Sequence, residues 1–164
     1  MKRHPGLHAL SRHHYFALVQ ALEMRRAAEA PSARRGSECR TAAEKFLGFW
    51  KAAGQAHFRE EEELLLPAYA RRERIEEDAA VTRMLVEHAR IRSGVAELEL
   101  VLQSSAPGES LAALLGALGR LLHDHVRLEE NEIFPRIEEA LGEEELARLG
   151  AHLTELHSKR SCAV

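Results

Sequence analysis

The chain is poor in aromatic residues, in cysteine and in long apolar runs. Only 5% of its 164 residues are Phe, Trp or Tyr, and Val and Ile are few. Ala, Leu, Glu and Arg dominate instead, a mixture that disfavours strands and favours helices. The two cysteines, Cys39 and Cys162, are too few for a disulfide framework, so free thiols in a reducing compartment are expected. No positive excess exists: the net charge is −3 with histidine neutral, which gives no ground for a nucleic-acid partner. No apolar stretch approaches the ~20 residues of a membrane span. Nor does an apolar segment with a cleavage site follow Met1-Lys2-Arg3, as a secretory signal requires. With 45% hydrophobic and 30% charged residues, the composition is that of a soluble globular protein, and cytoplasm is the expected location. No linker divides the chain, so residues 1–164 are expected to form a single domain, large enough to bury a core.

What the chain has in abundance is histidine, ten in all. Two of them open the same string. His57-Phe58-Arg59-Glu60-Glu61-Glu62 runs on to Pro67, and His125-Val126-Arg127-Leu128-Glu129-Glu130 runs on to Pro135. His, first paired Glu and Pro keep the same offsets. A helix turns about 100° per residue, so His at i and Glu at i+4 project from one face, one turn apart. A neutral imidazole beside a carboxylate on a rigid helix is a pair of metal ligands. Two copies suggest two facing half-sites.

Hydrophobic periodicity predicts four long helices and a shorter fifth. The first spans about 7–29, with stripe Leu7, Leu10, His14, Ala17, Leu18, Ala21 and Leu22. A breaker-rich loop is expected over 30–37. The second helix spans about 38–66, with stripe Phe46, Phe49, Trp50, Ala53, His57, Glu61, Leu64 and Leu65, and ends or kinks before Pro67. After a connection over 68–74, the third spans about 75–103. Glu76, Glu77 and Asp78 suit its positive end, and its stripe is Val81, Met84, Leu85, His88, Ile91, Val95, Leu98 and Leu102. A loop over 104–109 precedes Ser110, a possible N-cap. The fourth carries Leu114, Leu118, Leu121, Leu122, His125, Glu129 and Ile133, and Pro135 breaks it. The fifth covers about 143–159. Short loops imply antiparallel neighbours. The expected fold is all-α: an up-down-up-down antiparallel four-helix bundle over about 7–139, closed by a short C-terminal helix.

Each long helix then carries one histidine on its apolar stripe. His14 and His88 lie near N-terminal ends, His57 and His125 near C-terminal ends, and in such a bundle those ends share a pole. The four imidazoles should meet in one layer with Glu61 and Glu129. A single histidine on an apolar face is more often a satisfied core residue than a ligand, and a glutamate run is usually a solvated face. But an unpaired buried polar group costs roughly 1–3 kcal/mol and a carboxylate more. Six in one layer would consume much of a stability of about 5–15 kcal/mol. Metal coordination removes that cost. Two carboxylates able to bridge suggest two ions, and the absence of thiolates from the stripe argues against a cysteine-type zinc site. The Glu-x-x-His order of ferritin-like bundles is absent.

These motifs, Leu10-Ser11-Arg12-His13-His14, His57-x-x-x-Glu61-Glu62, Val86-Glu87-His88 and His125-x-x-x-Glu129-Glu130 with Phe134-Pro135, resemble the hemerythrin family, the HHE cation-binding domain, over about 7–139. The resemblance implies a non-haem centre of two iron ions bridged by oxygen and carboxylates. His14, His57, His88 and His125 would be terminal ligands, Glu61 and Glu129 the bridges; zinc or manganese are possible substitutes. Oxygen carriers of the family place a fifth His where this chain has Arg92, and an Asp at i+5 of the last motif where Glu129 stands at i+4. The site therefore looks like that of the bacterial members, with His13, Glu62, Glu130 or water as candidates for a further ligand. His123, about 200° from His125, should lie outside it; His152 and His157 should face solvent. The implied function is binding of, or reaction with, O2, peroxide or nitric oxide, with peroxide decomposition as a candidate enzymatic activity. An iron- or oxygen-sensing module without catalysis is the alternative, its partner surface on the fifth helix. No separate nucleophile or general acid is evident.

Overall fold

The structure, a computed structural model, describes residues 3–104 and 108–161, with side chains only as far as residue 156. Cys162, the His157 side chain and residues 105–107 of the predicted loop lie outside the described residues. Among the described residues the chain forms five long helices and no strand. A short 3-10 turn, Pro5–Leu7, leads into α1, His8–Ala28. The second helix, α2, covers 32–69 and is α-helical at Ser32–Phe49, Gln55–Glu60 and Leu66–Tyr69. Wider π turns at Trp50–Gly54 and Glu61–Leu65 join these parts. Next come α3, Ala79–Gln103, and α4, covering 108–140, with its own π turn at Glu129–Ile133. The fifth, α5, is Glu143–Ser161.

Helix α1 packs against α2 and α4, and α3 packs against both α4 and α2. The apolar core falls into two clusters. One holds Ala17, Ala21, Met24, Phe46, Trp50, Phe58, Ile91, Leu98, Leu118 and Leu122; the other holds Leu10, Leu65, Met84, Ile133, Phe134 and Ile137. In each of α1 to α4 a site residue divides the two: Leu10 and Ala17 flank His14, Phe58 and Leu65 flank Glu61, Met84 and Ile91 flank His88, and Val126 and Ile133 flank Glu129. A polar layer thus cuts the core in two.

Helix α5 closes the second cluster with Leu146, Leu149 and Leu153 and rests on the Pro5–Leu7 turn. There the backbones approach so closely that a Cβ on Gly150 would lie 2.5 Å from the Gly6 Cα. Leu146, Leu149 and Leu153 of α5 are therefore spent on this protein's own core.

Several boundaries differ from the sequence expectation, each for a physical reason. The loop predicted over 30–37 is only a tight link, because α2 starts at Ser32 with Pro31 as its N-cap residue. Gly36 costs about 1 kcal/mol inside a helix, but Cys39, Ala42, Ala43 and Phe46 bury the face that follows. Pro67 and Pro135 do not end their helices. In each case a π turn precedes the proline, with Leu66 N–H donating to Glu61 O and Phe134 N–H donating to Glu129 O. Proline then stands in the first turn of the next α segment, where its missing N–H and fixed φ are tolerated. The third helix begins four residues late. Ile75–Glu77 is a 3-10 turn, and Asp78 caps α3 by accepting from Ala80 N at 2.9 Å and Val81 N at 3.4 Å. Ser110 is no cap, since α4 is already helical from Gly108. Leu22 and Leu85, assigned to buried stripes, are exposed.

Candidate metal centre

His14, His57, Glu61, His88, His125 and Glu129 meet in the polar layer, each no more than 5% exposed. Helix α1 supplies His14, α2 supplies His57 and Glu61, α3 supplies His88, and α4 supplies His125 and Glu129. All four imidazoles turn Nε2 inward. His14 and His57 bring these nitrogens 2.9 Å apart. Glu61 Oε1 lies 3.1 Å from His57 Nε2 and 3.7 Å from His14 Nε2, while its Oε2 lies 3.4 Å from His88 Nε2. Glu129 mirrors it, with Oε2 3.0 Å from His14 Nε2, and Oε1 3.0 Å from His125 Nε2 and 3.5 Å from His88 Nε2.

These donor atoms form two overlapping groups, each within 4.8 Å: His14, His57, Glu61 and Glu129, and Glu61, His88, His125 and Glu129. Both carboxylates belong to both groups, presenting one oxygen to each.

The π turns begin at these two glutamates. A bond from i to i+5 widens the helix locally, a feature frequent at functional sites. The next glutamate, one residue or about 100° further round, then faces a neighbouring helix. Glu130 reaches His14 Nδ1 at 2.6 Å, and Glu62 reaches His88 Nδ1 at 2.7 Å. Glu87 does the same for His125 Nδ1 at 3.2 Å.

An arginine holds each outer carboxylate in turn. Arg3 donates to Glu130 at 2.7 Å, with Ser11 Oγ also at 2.7 Å. Arg92 makes two bonds of 2.9 Å to Glu62, and Arg83 donates to Glu87 at 2.8 Å. Burial alone would raise these three carboxyls, but their histidine and arginine partners hold all three below the usual range, Glu130 at about 2. An ionised carboxylate only accepts, so His14, His88 and His125 each donate from Nδ1, and Nε2 is the nitrogen that would release its proton and offer a lone pair to a cation.

In the metal-free protein the inner layer is an ion-pair layer. Burial opposes charge on His88, but Glu129 and Glu61 carry it to about 10; the same carboxylates raise His14, and Glu129 raises His125. Burial and mutual repulsion push the other way, yet the imidazoles hold Glu61 and Glu129 below the ordinary carboxylate range. Close approach does not amount to hydrogen bonding here. Both oxygens of Glu61 and of Glu129, and Nε2 of His88 and of His125, have no hydrogen-bond partner among the described residues. Each such buried atom costs about 1–3 kcal/mol unless something else takes it. Cations replacing the protons would take all six at once, and a set of imidazole nitrogens and carboxylate oxygens suits iron, manganese or zinc.

Phe58 stacks on His88 at 3.7 Å between centroids and Phe134 on His14 at 5.1 Å, sealing two sides. Against His57, His125 and Glu129 lies a cavity walled by Phe49, Trp50 and Leu122. It leaves about 10 Å³ for the centre of a water-sized sphere, room for one small molecule.

The six residues expected to converge therefore do so. Glu62 and Glu130, candidates for a further ligand, lie on the outer nitrogens instead. His123 is outside the layer, bonded to Asp124, and His152 is exposed. The roles of Glu87 and of Arg3 and Arg83 were missed. Glu87 stands beside His88 and four residues after Arg83, a spacing that offered a signal; Arg3 offered none, because its partners are 127 and 135 residues away.

Fold and site together define an all-helical protein with a buried histidine–carboxylate cluster suited to a metal cation. Residues 6–137 match the sequence model of the hemerythrin HHE cation binding domain, and the chain belongs to that family. Neither a curated protein nor a solved structure matches it. No helix among the described residues is long and apolar enough to cross a membrane.

Proposed function

We propose that the chain is a non-haem di-iron protein, built on an up-down-up-down four-helix bundle, that binds or reacts with O2, peroxide or nitric oxide in the cytoplasm. The observation that carries the reading is the sharing of Glu61 and Glu129 between two four-residue groups, with one oxygen of each turned to either side. A single ion would not need two overlapping groups. The order in which the two core clusters alternate along the four helices supports the antiparallel bundle.

His14 and His57 would hold one iron, His88 and His125 the other, and Glu61 and Glu129 would span both. When bound, such a pair supplies electrons and an open coordination position for a small oxidising or diatomic ligand. The chain's own residues do the rest. The Glu130, Glu62 and Glu87 clamps fix the imidazole tautomers, Phe58 and Phe134 exclude water, and the small cavity beside Glu129 limits the ligand to a few atoms. Cys39, buried and donating to Ala27 O at 3.3 Å, takes no part.

The test is metal analysis of protein from iron-supplemented cells, with visible spectra before and after O2, peroxide and nitric oxide. About two irons per chain and new charge-transfer bands are expected; fast peroxide loss marks turnover, and its absence with metal-dependent melting marks a sensor. Trace iron, with unchanged melting in His125→Ala, sinks the reading.

A further inference from the structure

Three inner histidines are clamped through Nδ1 by a carboxylate that an arginine holds. His57 is not. Its Nδ1 has no hydrogen-bond partner, although its side chain is only 7% exposed. What lies near it is a second set of donors: ligand atoms of His13, His57 and Glu60 fall within 4.8 Å of one another. His13 and Glu60 each stand one residue before an inner donor, His14 and Glu61. The set is therefore turned about 100° round α1 and α2 from the inner layer. Glu60 is buried, whereas His13 is half-buried. His13 and His57 also line the small cavity that touches Glu129.

We propose that His13, His57 and Glu60 form a second cation site, a way station through which divalent transition-metal ions enter the inner cage. This rests on the reading of that cage as a metal centre. Stripping water from a divalent ion without replacing its ligands is prohibitive in an apolar interior. All six inner residues are buried, so an ion must change partners stepwise on its way in. Two imidazoles and a carboxylate leave positions for water and suit Fe2+, Co2+ or Zn2+ rather than Ca2+, which takes oxygen ligands. His57 belongs to both sets. With no carboxylate on Nδ1, it is the one inner histidine whose outer nitrogen is left for a cation. The other three, locked by Glu130, Glu62 and Glu87, stay as the fixed receiving wall.

The test is anaerobic loading of the metal-free full chain with Co2+, followed by stopped-flow absorbance and equilibrium titration, in the parent, His13→Gln and Glu60→Gln. The parent is expected to take up its tight Co2+ quickly and to bind a further, weaker equivalent at high Co2+. Both variants should reach the same tight occupancy at least tenfold more slowly and lose the weak equivalent; excess Ca2+ should change nothing. His13→Gln, at a half-buried position, carries the test should Glu60→Gln fail to fold. Loading at the parent's rate with the same total Co2+ overturns the way station alone. A parent that takes up no tight Co2+ overturns both this proposal and the metal-centre reading beneath it.

Discussion

Removing one clamp should weaken metal binding by a calculable amount. Glu62 accepts from His88 Nδ1 at 2.7 Å and from Arg92 twice at 2.9 Å. The His88 side chain is only 1% exposed, so its Nδ1 relies on Glu62 for an acceptor. Glu62→Ala therefore leaves a buried donor unsatisfied, at about 1–3 kcal/mol, and frees the ring to present the wrong tautomer. Loss of such an outer partner typically costs 10–100-fold in metal affinity, or about 1.4–2.8 kcal/mol. Arg92→Ala should cost less than about tenfold, because Glu62 remains, 28% exposed, and water can hold it. Arg92 acts on the metal through Glu62, so the double variant should bind no worse than Glu62→Ala. Arg92 also lies over the Phe58 ring, 5.4 Å from its centroid, and losing that contact should appear in melting rather than in affinity. The assay is competition for Co2+ against a chelator of known affinity, with thermal melting alongside. Arg59→Ala is the control: it breaks an exposed, solvent-screened pair with Glu63, whose members are 64% and 58% exposed, and should leave melting and binding unchanged. Binding by Glu62→Ala within twofold of the parent, or strictly additive losses in the double variant, refutes the clamp.

Stripping the metal should lower the melting temperature. A ligand at a hundred times its dissociation constant stabilises by about 2.7 kcal/mol, or roughly 5–10 °C at this chain length, and calorimetry with a chelator and metal add-back measures it. Gly150→Ala should lower melting by the 1–3 kcal/mol or so of an overpacked contact, because its Cβ would meet the Gly6 backbone at 2.5 Å, yet leave metal stoichiometry intact. Asp78→Ala should cost about 0.5–2 kcal/mol as a lost cap, read by chemical denaturation. Burial raises the Asp78 carboxyl, but Arg136 and the amides of Ala80 and Val81 outweigh it and hold it below its usual value. A depressed carboxyl stabilises fully above its unfolded pKa, about 3.9, and loses that contribution as pH falls through the native value. The gap between parent and variant should hold at neutral pH and close below about pH 4.

The site was far more legible than the helix ends. The six inner donors follow from a short-range rule, His at i and Glu at i+4, repeated once and joined by two histidines on apolar stripes. That rule survives because helical side-chain direction is set locally. The boundaries at Pro31, Pro67 and Pro135 were misjudged because proline's local preference is weak against tertiary burial. Leu65, Leu66, Ile133 and Phe134 are all buried beside the prolines, and a π turn lets the chain keep them there without asking proline for an N–H. The start of α3 slipped for the opposite reason. Glu76 and Glu77 suited a helix start by charge, but Asp78 satisfied two amides by geometry.

By itself, then, the sequence determined an all-helical chain and the six residues of the polar layer, since composition and periodicity act through nearest neighbours along the helix, while the resemblance of its motifs pointed to the family. Only the tertiary structure decided how that layer is held. The pairings His14–Glu130–Arg3, His88–Glu62–Arg92 and His125–Glu87 each join residues from separate helices or from the N-terminal segment, Arg83 alone reaching its carboxylate along the same helix. So does the exception at His57, left unclamped beside His13 and Glu60. Such contacts depend on how helices face one another, and periodicity along one helix carries no record of what the next one presents.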